Sequence, residues 1–432
     1  MATRTAGEGT TGETVALGFG TSVAMWSVGY LCRIPPAVVP SWLLAAALLG
    51  CLLAGGVLAG RLTGRRWRAG MAVGLFSSVV NLLILGSLLG GPHPNQIVPS
   101  ALWWLPGSVV LGAALGAAGG AAAGTIRGRA PDWTEVLAIV ASAATLLQLL
   151  VGGIVTGAAA GLAVVDWPNS FGYNMFLYPL SRMTGGVYFE HAHRLFGTLV
   201  GLTTLVLAIH LLRVEERSWV KRLGLVALGV VIVQGILGGL RVTGTFTFST
   251  SHAAMEPSMT LAIAHGVLGP TFFGLMVALA VFLSPTWKGD GAPAPARGAG
   301  SERILGVVVT AAVLLQLVLG GIQRHLERGL LVHITFAAVV LALAALYGAR
   351  LWGLYQERPL LGRLGRLLAV VALVQVVLGV VALFAQQATV AGAPPTTWAV
   401  LLTTAHQAGG SVLLGCAVMA ALWPRRLLVQ AV

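Results

Sequence analysis

Residues 187–212 read VYFEHAHRLFGTLVGLTTLVLAIHLL, and this stretch decides which kind of fold the chain has. From Leu195 to Leu212 it contains no charged residue. As a helix that run is about 27 Å long, at about 1.5 Å per residue, which is close to the thickness of the hydrocarbon core of a bilayer. Its polar residues are gathered at the start, in Glu190-His191-Ala192-His193-Arg194. The stretch therefore predicts a transmembrane helix with a chemically active segment near one end.

The whole chain has this apolar character. Of its 432 residues, 57% are hydrophobic and 9% are charged, and the mean hydropathy is +0.88. Lipid admits only helices and closed barrels as spanning structures, and apolar runs of about 20 residues have the length of helices. We predict an all-α polytopic membrane protein with about twelve transmembrane helices. The predicted spans are residues 15–33, 41–60, 70–90, 103–124, 134–162, 187–212, 222–241, 258–284, 304–323, 329–349, 366–386 and 398–422.

The spans fall into three predicted segments. Residues 1–130 form a four-helix N-terminal membrane block of unassigned role. Residues 131–286 and 303–432 form two four-helix bundles, and the stretch TWKGDGAPAPARGAG between them predicts a flexible loop. Because the block lacks the polar repeat of the bundles, we expect it to be separable from them. A ladder of small residues in its last span predicts close helix packing: Gly112, Gly116, Gly120 and Gly124.

The basic residues predict how the chain lies in the membrane. The formal net charge is +13, and with the N-terminus in the cytoplasm 20 of the 26 Lys and Arg residues lie in cytoplasmic loops or at cytoplasmic helix ends. This asymmetry follows the positive-inside rule and argues against a nucleic-acid partner. We predict a multi-pass protein of a bacterial-type cytoplasmic (inner) membrane, surrounded by membrane lipid, with both termini in the cytoplasm. The largest basic cluster consists of Arg61, Arg65, Arg66 and Arg68.

Four histidines recur in a duplicated register inside the apolar spans. His193 and His265 are 72 positions apart, and His333 and His406 are 73 apart. Imidazole is costly to place in hydrocarbon and usually marks a functional site there. Each histidine taken alone is more typical of a helix contact, but the matched spacing predicts two metal centres in the outer half of the membrane. Facing histidines in a helical bundle are a common way to hold haem iron at both axial positions. Weaker candidates, expected at the outer surface or in loops, are His191, His252 and His325.

A second repeat precedes each histidine-bearing helix. The odd-numbered spans of the two bundles carry Gln-x-x-x-Gly, and residues four apart share a helix face. The glycine lets a neighbouring helix or a flat macrocycle approach the backbone, so the motif is compatible with cofactor binding and with helix packing alone. Four occurrences favour a repeated unit. The candidate cofactor-binding glutamines are Gln148, Gln234, Gln316 and Gln375, followed by Gly152, Gly238, Gly320 and Gly379.

The polar cluster of residues 190–194 has two interpretations. Glu190 shares a helix face with His193 and nearly aligns with Arg194. A Glu–Arg pair at the membrane interface would be purely structural. In the functional interpretation His193 is an axial ligand, Glu190 is a catalytic carboxylate that moves a proton or stabilises a developing cation, and Arg194 binds an anionic substrate group. Arg241 and Arg324, at outer helix ends, are candidates for haem propionates and equally for lipid headgroups.

In these motifs, residues 134–423 resemble the haem A synthase family. The stretch QLLVGGIVTGAAAGLAVVDWP (148–168) is similar to the family's first helix and the outer loop after it. Glu190-x-x-His193-Arg194 is similar to the family's glutamate–histidine–arginine motif in the second helix. The family's remaining histidines, on the fourth, sixth and eighth helices, are matched by His265, His333 and His406.

The resemblance implies an architecture and a reaction. Two pseudo-symmetric four-helix bundles would hold the substrate haem O in the first and a haem b cofactor in the second. The enzyme would oxidise the C8 methyl group of haem O to the formyl group of haem A, for terminal oxidase assembly. The candidate partners that it implies are haem O synthase and terminal oxidase assembly factors, and a second copy of the chain would make a homo-oligomer.

The sequence departs from the family in two places. The loop DWPNSFGYNMFLYPLSRMTGGVY, residues 166–188, lacks the cysteine pair that many bacterial members carry, so redox roles of that pair do not transfer. The block of residues 1–130 has no counterpart in the resemblance. Two rival functions also use the four histidines but do not need Glu190. One is a membrane electron carrier of the cytochrome b type, and the other is a haem-delivery or assembly protein without catalysis.

Overall fold

The computed structural model describes residues 6–124, 130–245, 256–388 and 393–431. Within these residues twelve helices are long and apolar enough to cross a membrane, which confirms the predicted all-α polytopic fold. In chain order the helices are α1 (Ala6–Cys32), α2 (Ser41–Thr63), α3 (Arg66–Leu89), α4 (Ala101–Ala122), α5 (Trp133–Gly157), α6 (Gly185–Val214), α7 (Ser218–Thr243), α8 (Met259–Leu283), the short α9 (Pro285–Lys288), α10 (Ala299–Leu326), α11 (Leu330–Leu354), α12 (Pro359–Gln387) and α13 (Thr397–Leu427).

Local sequence signals determine where the helices of His333 and His406 begin. At the start of α13 the Thr396 hydroxyl accepts a hydrogen bond from the Ala399 N–H at 3.2 Å, which caps the helix. Between α10 and α11, Gly329 adopts a left-handed conformation with φ 83°, which glycine reaches without a Cβ penalty. The tight turn leaves His333 in the first turn of α11, where its N–H donates to the Gly329 carbonyl at 2.9 Å.

Contacts among the described residues divide the chain into two units. Of the described residues, the first comprises 6–124, 130–148 and 162–224, and the second comprises 149–161, 225–245, 256–388 and 393–431. The division therefore cuts α5 after Gln148 and α7 after Gly224. The predicted segment boundaries near residue 130 and between residues 286 and 303 rest on the sequence repeat, and they stay a prediction.

Glycine brings helices of the N-terminal block into backbone contact within the first unit. A Cβ added to Gly116 of α4 would collide with the backbone oxygen of Gly70 in α3. Gly112 and Gly120 are confined in the same way by atoms of α3. The predicted close packing is confirmed at these three positions of the ladder. Gly124, the fourth, has open space around it among the described residues.

The linker between the two predicted bundles has a defined structure in the second unit. After α9, strand β1 (Ala294–Ala296) pairs in parallel with strand β2 (Leu428–Gln430) near the C-terminus. The Arg426 guanidinium donates to the backbone oxygens of Trp287, at 2.8 Å, and of Gly289. These bonds tie the linker to the end of α13, which corrects the prediction of a flexible loop over these residues.

We predict that Gly116→Ala destabilises the fold and that Gly107→Ala, in the same helix, does not. The first change forces a methyl group against the Gly70 backbone, and overpacking of this kind costs about 1–3 kcal/mol. The second adds a methyl group in open space and gains about 0.5–1 kcal/mol of helix propensity. Thermal unfolding midpoints of the two detergent-purified variants measure the difference. Equal midpoints would contradict the packing role of Gly116.

Candidate functional site

His333 of α11 and His406 of α13 face each other in the second unit. Their ring centroids are 6.3 Å apart and their planes lie at 89° to each other. A metal-bound imidazole nitrogen lies about 2.0–2.1 Å from a metal such as zinc, so two imidazoles on opposite sides of one metal have centroids roughly 6 Å apart. The observed spacing fits a single metal atom between the two rings.

The number of ligands near this pair suits a haem iron better than a bare ion. Within the described residues, no three His, Cys, Asp or Glu side chains come together in a way that could hold a metal. A structural zinc ion is almost always held by four protein ligands. Haem iron takes four nitrogens from the porphyrin, so the protein need supply only the axial ligands. Two facing histidines are a sufficient donor set for haem.

Each of the four histidines is held by the glutamine of one Gln-x-x-x-Gly motif. The glutamine Nε2 donates a hydrogen bond to the backbone oxygen of the histidine on the following long helix. The repeat in the sequence is therefore a repeated hydrogen bond in the structure. The pairs are Gln148 and His193 (3.0 Å) in the first unit, and Gln234 and His265 (2.9 Å), Gln316 and His333 (3.0 Å), and Gln375 and His406 (2.7 Å) in the second.

In two of the pairs the amide also touches the histidine ring. Nε2 of Gln316 lies 3.1 Å from Nδ1 of His333, and Nε2 of Gln375 lies 3.1 Å from Nδ1 of His406. The amide oxygens of both glutamines are buried and accept no hydrogen bond within the described part of the chain. The same Nε2 donates to the histidine backbone oxygen, so this arrangement of the amide presents a donor to the ring. Nδ1 of the free ring is then the acceptor of that contact.

His265 has a ring contact of a different kind. Its Nδ1 lies 3.1 Å from the backbone oxygen of Gln234. A carbonyl oxygen can only accept, so this bond requires the proton on Nδ1. The lone pair of this tautomer is then on Nε2, and metal-binding histidines commonly donate their other ring N–H to a backbone carbonyl in this way.

The glycine of the motif makes room for the histidine ring. The sequence alone left open whether this glycine admits a neighbouring helix or a flat macrocycle. In three pairs its near neighbour is the imidazole itself, because an added Cβ would crowd the ring Cε1. These pairs are Gly238 and His265 (2.9 Å), Gly320 and His333 (3.1 Å), and Gly379 and His406 (2.9 Å).

The histidine helices carry a reciprocal motif, His-x-x-x-Gly, which is not among the predicted site residues. A Cβ added to the glycine of this motif would lie 3.3 Å from the glutamine Nε2. A spacing of four from each histidine is the sequence signal that identifies it. The pairs are Gly197 with Gln148, Gly269 with Gln234, and Gly410 with Gln375, while Ala337 stands four residues after His333.

The glycine that follows the first motif of each repeat has a separate role. In the second unit Gly153 of α5 packs against Thr404 of α13, and Gly321 of α10 packs against Ile263 and Val267 of α8. Both glycines stand five positions after their glutamine. The first helix of each repeat thus meets the last helix of the other repeat at the same position. Reciprocal contacts of this kind are what a two-fold pseudo-symmetric duplication produces.

Glu190 and Arg194 form a buried ion pair in the first unit. Nη2 of Arg194 lies 2.9 Å from Oε1 of Glu190, and Glu190 is 4% exposed. Oε2 of Glu190 accepts a hydrogen bond from the Val164 N–H at 2.8 Å. Arg194 also donates to the backbone oxygens of Val164 (3.0 Å), Asp166 (2.6 Å) and Asn169 (2.8 Å). The ion pair therefore fastens α6 to the α5–α6 loop, residues 162–184.

These contacts are the ones that the structural interpretation of the cluster requires. Both carboxylate oxygens of Glu190 and both terminal nitrogens of Arg194 are engaged by the loop or by each other. Removing one partner of such a pair leaves an uncompensated buried charge, at a cost of about 3–5 kcal/mol. A structural role does not exclude a chemical one, so the catalytic role of Glu190 and the anion-binding role of Arg194 stay predictions.

His191 is fully buried, which corrects the expectation that it lies at the outer surface or in a loop. Its exposed fraction is 0%, and its Nδ1 lies 3.0 Å from the Ser170 hydroxyl. Its ring centroid lies 5.1 Å from that of Tyr178. Burial also raises the pKa of the Tyr178 phenol, which keeps it neutral. His191 therefore joins Glu190 and Arg194 in holding the α5–α6 loop.

Within the second unit, Arg324 binds the last turn of α5 and Arg241 binds the backbone just after that helix. Nη2 of Arg241 donates to the Gly161 backbone oxygen at 3.3 Å, and Nη2 of Arg324 donates to the Thr156 backbone oxygen at 2.5 Å. Their predicted contact with haem propionates is not tested by these bonds and stays a prediction. Of the weaker histidine candidates, His325 lies half-buried in the last turn of α10, and His252 lies outside the described residues.

A model of the cytochrome oxidase assembly protein family (COX15-CtaA) matches residues 172–334 of the chain. No curated protein matches it. The family match confirms the resemblance over this central segment. The matched segment includes Glu190, His193, Arg194, His265 and His333.

We predict that Gln375→Ala lowers the affinity for haem by about 10–100-fold, because partners that orient a metal-binding imidazole have effects of that size. The variant loses the 2.7 Å bond to the His406 backbone and the contact with its Nδ1. Gln407→Ala is the matched control, since Gln407 follows His406 on the same helix. Haem titration of the purified proteins, followed by absorbance, measures the affinities. If the two variants bound haem equally well, Gln375 would have no part in orienting the ligand.

Proposed function

We propose that this protein is a haem A synthase-type oxidoreductase, which converts the C8 methyl group of haem O to the formyl group of haem A. The observation that carries the proposal is the glutamine–histidine pair that the chain builds four times. Two haem centres with two axial histidines each need four such positions. The family match adds support for a part in cytochrome oxidase assembly.

His333 and His406 are the proposed axial ligands of a haem b cofactor. The 6.3 Å spacing of their rings and the absence of a third metal-binding side chain within the described residues support this assignment. Bound haem b would supply one-electron redox chemistry. The chain's own contribution is to fix the two histidines through the hydrogen bonds that the amides of Gln316 and Gln375 donate to their backbone oxygens.

Haem O is the proposed substrate, with His193 and His265 as its ligands. This assignment rests on their 72-residue spacing and on the resemblance to the family. The bonds from Gln148 and from Gln234 support it, because each repeats the bond from amide to histidine backbone oxygen that is found in the His333 and His406 pairs. The proposed cations for haem propionates are Arg194, Arg241 and Arg324.

Glu190 is the proposed catalytic carboxylate. With water as the oxygen source, conversion of the methyl group to a formyl group removes four electrons, which an external electron acceptor has to take, and releases four protons. A nearby base or anion lowers the barrier of such a step. Glu190 precedes His193 by about one helical turn, and the Val164 N–H and Arg194 fix its carboxylate. A carboxylate held by fixed donors does not have to reorganise when charge develops, which is the condition for electrostatic stabilisation.

The proposed enzyme lies in a bacterial-type cytoplasmic membrane, with both termini in the cytoplasm and its haem sites toward the outer face. The distribution of Lys and Arg between the loops supports this orientation. Its proposed partners are haem O synthase, which would deliver the substrate, and terminal oxidase assembly factors, which would receive the product. A homo-oligomer is also proposed.

Co-expression with a source of haem O tests the proposed function. Cells that contain the protein should accumulate haem A or its hydroxylated precursor, identified by chromatography and mass spectrometry of extracted haems. Cells that contain His193→Ala at the same level are the matched control and should retain haem O. An electron carrier or a haem-delivery protein would leave haem O unchanged in both, and that result would reject the enzyme.

We predict that His333→Ala and His406→Ala each remove most of the bound haem b, because one axial imidazole and its spacing to the other are lost. The expected result is loss of the low-spin haem spectrum in both purified variants. His210→Ala serves as a control, since His210 bonds to Thr134 in the first unit and is not a proposed ligand. Retention of a normal low-spin spectrum by both variants would remove the assignment.

We predict that Glu190→Gln abolishes haem A formation and leaves haem b nearly normal, with haem O or an alcohol intermediate accumulating. Glutamine keeps the shape and can still accept the Val164 N–H, but it lacks the charge that acts in the transition state. Loss of the ion pair with Arg194 is the confounding effect, and the thermal unfolding midpoint of the same sample measures it. Undiminished haem A formation by a well-folded variant would exclude the catalytic role.

A further inference from the structure

We propose that the N-terminal block, residues 6–124, is a positioning module that holds the α5–α6 loop against the Glu190–Arg194 segment. The proposal gives a role to four helices that the sequence left unassigned, and it rests on the proposed function for its catalytic consequence. All the contacts that carry it lie within the first unit.

The turn between α3 and α4 makes three polar contacts with the loop. The Pro92 backbone oxygen accepts hydrogen bonds from the Tyr173 hydroxyl at 2.6 Å and from Nη2 of Arg182 at 3.1 Å. Oδ1 of Asn95 accepts a third from the Asn174 N–H at 2.9 Å. The turn therefore binds the loop at residues 173–174 and again at residue 182.

Glycine brings the end of α3 into direct contact with the loop backbone. A Cβ added at Gly86 would collide with the backbone oxygen of Phe176, and one added at Gly90 would collide with that of Leu177. Because backbone atoms have no rotamers, neither collision can be relieved by turning a side chain. The loop rests on a surface that only glycine leaves open.

The block also packs along α6, which fixes the position of the α3–α4 turn relative to that helix. The Tyr188 hydroxyl donates to the Tyr30 backbone oxygen at 2.7 Å, and the two rings are stacked with centroids 5.5 Å apart. Trp26, which is 2% exposed, packs edge-to-face with Phe196, and the two ring centroids are 5.5 Å apart. At the other end of α1, a Cβ added at Gly12 would lie 3.4 Å from the His210 ring.

From its other side the loop determines the surroundings of the proposed catalytic carboxylate. The Val164 N–H and the Arg194 guanidinium are the donors to Glu190, and Arg194 is itself held by three loop carbonyls. The loop is internally braced, because the Asp166 carboxylate accepts the N–H groups of Phe171 (2.6 Å) and Gly172 (2.8 Å). A displacement at residues 173–177 is therefore transmitted to Glu190 and Arg194 through a stiff segment.

The test uses glycine variants of the full-length protein in matched pairs. Gly86→Ala and Gly90→Ala insert a methyl group against the loop backbone, whereas Gly50→Ala and Gly107→Ala insert the same group into open space in α2 and α4. In the first pair, the rates of trypsin cleavage after the exposed Arg182 and of amide exchange over residues 171–184 should both rise by about tenfold. The reason is that the loop separates from α3 more often when the methyl group is present. The second pair should match the unmodified protein.

A second variant keeps the test independent of overpacking. Tyr173→Phe combined with Asn95→Ala removes two hydrogen bonds to the loop without adding an atom. It should raise the same exchange and cleavage rates by about three- to tenfold, as the loss of one or two net hydrogen bonds predicts. Its KM for haem O should rise while the haem b spectrum stays unchanged, which a merely structural role would not produce.

Unchanged loop exchange and cleavage in both Gly86→Ala and Gly90→Ala would overturn the proposal. So would a loosened loop with a normal KM and turnover for haem O, because the block would then hold the loop without serving the site. These outcomes differ from a failure of the proposed function, in which the unmodified protein makes no haem A although its loop is protected and the glycine variants loosen it.

Discussion

Polar groups in the hydrocarbon core find no water, so they need hydrogen-bond partners within the protein. The rest of this structure depends on how the histidine helices meet that requirement. Each histidine helix receives a hydrogen bond on its backbone oxygen from a glutamine amide of the preceding long helix. The bond fixes the position of the histidine relative to the glutamine helix. In the His333 and His406 pairs it also places the amide beside the ring. An imidazole held in this way pays little entropy when it binds a metal, since its position is set before the metal arrives.

The hydrogen bond in turn dictates where glycine must occur. In three of the pairs the imidazole ring fits beside the glutamine helix because the residue four positions after the glutamine has no Cβ. The amide fits beside the histidine helix only if the residue four positions after the histidine is small, as in Gly197, Gly269, Ala337 and Gly410. Two helices with these paired gaps approach closely, which is how helices associate in lipid without a hydrophobic driving force. The helix spacing, the ligand orientation and the repeat are thus consequences of one contact.

A different solution operates where α6 meets the α5–α6 loop. There the buried charge of Glu190 is balanced by Arg194, and the remaining donors of Arg194 are satisfied by loop carbonyls. The backbone oxygens of a loop are not paired within the loop, so they can accept hydrogen bonds from an arginine guanidinium. Those of a helix interior are already paired within the helix. The N-terminal block completes this arrangement from the opposite side of the loop. One loop therefore links a region of unassigned sequence to the segment that carries the most concentrated chemistry in the chain.

The sequence by itself determined the twelve spans, the matched histidine spacing, the Gln-x-x-x-Gly repeat and the close packing at Gly116. Each of these depends on hydropathy, helical periodicity or side-chain size, which are local properties. Only the tertiary structure decided that the glutamines bind histidine backbone oxygens, that His191 is buried, and that Arg194 donates to three carbonyls of the α5–α6 loop. It also decided that the block packs on α6, as at Tyr30 and Tyr188, which are 158 positions apart. Such contacts join helices that are apolar over most of their length, so the sequence does not mark which apolar face will meet which partner, and the geometry of the packed helices has to supply that information.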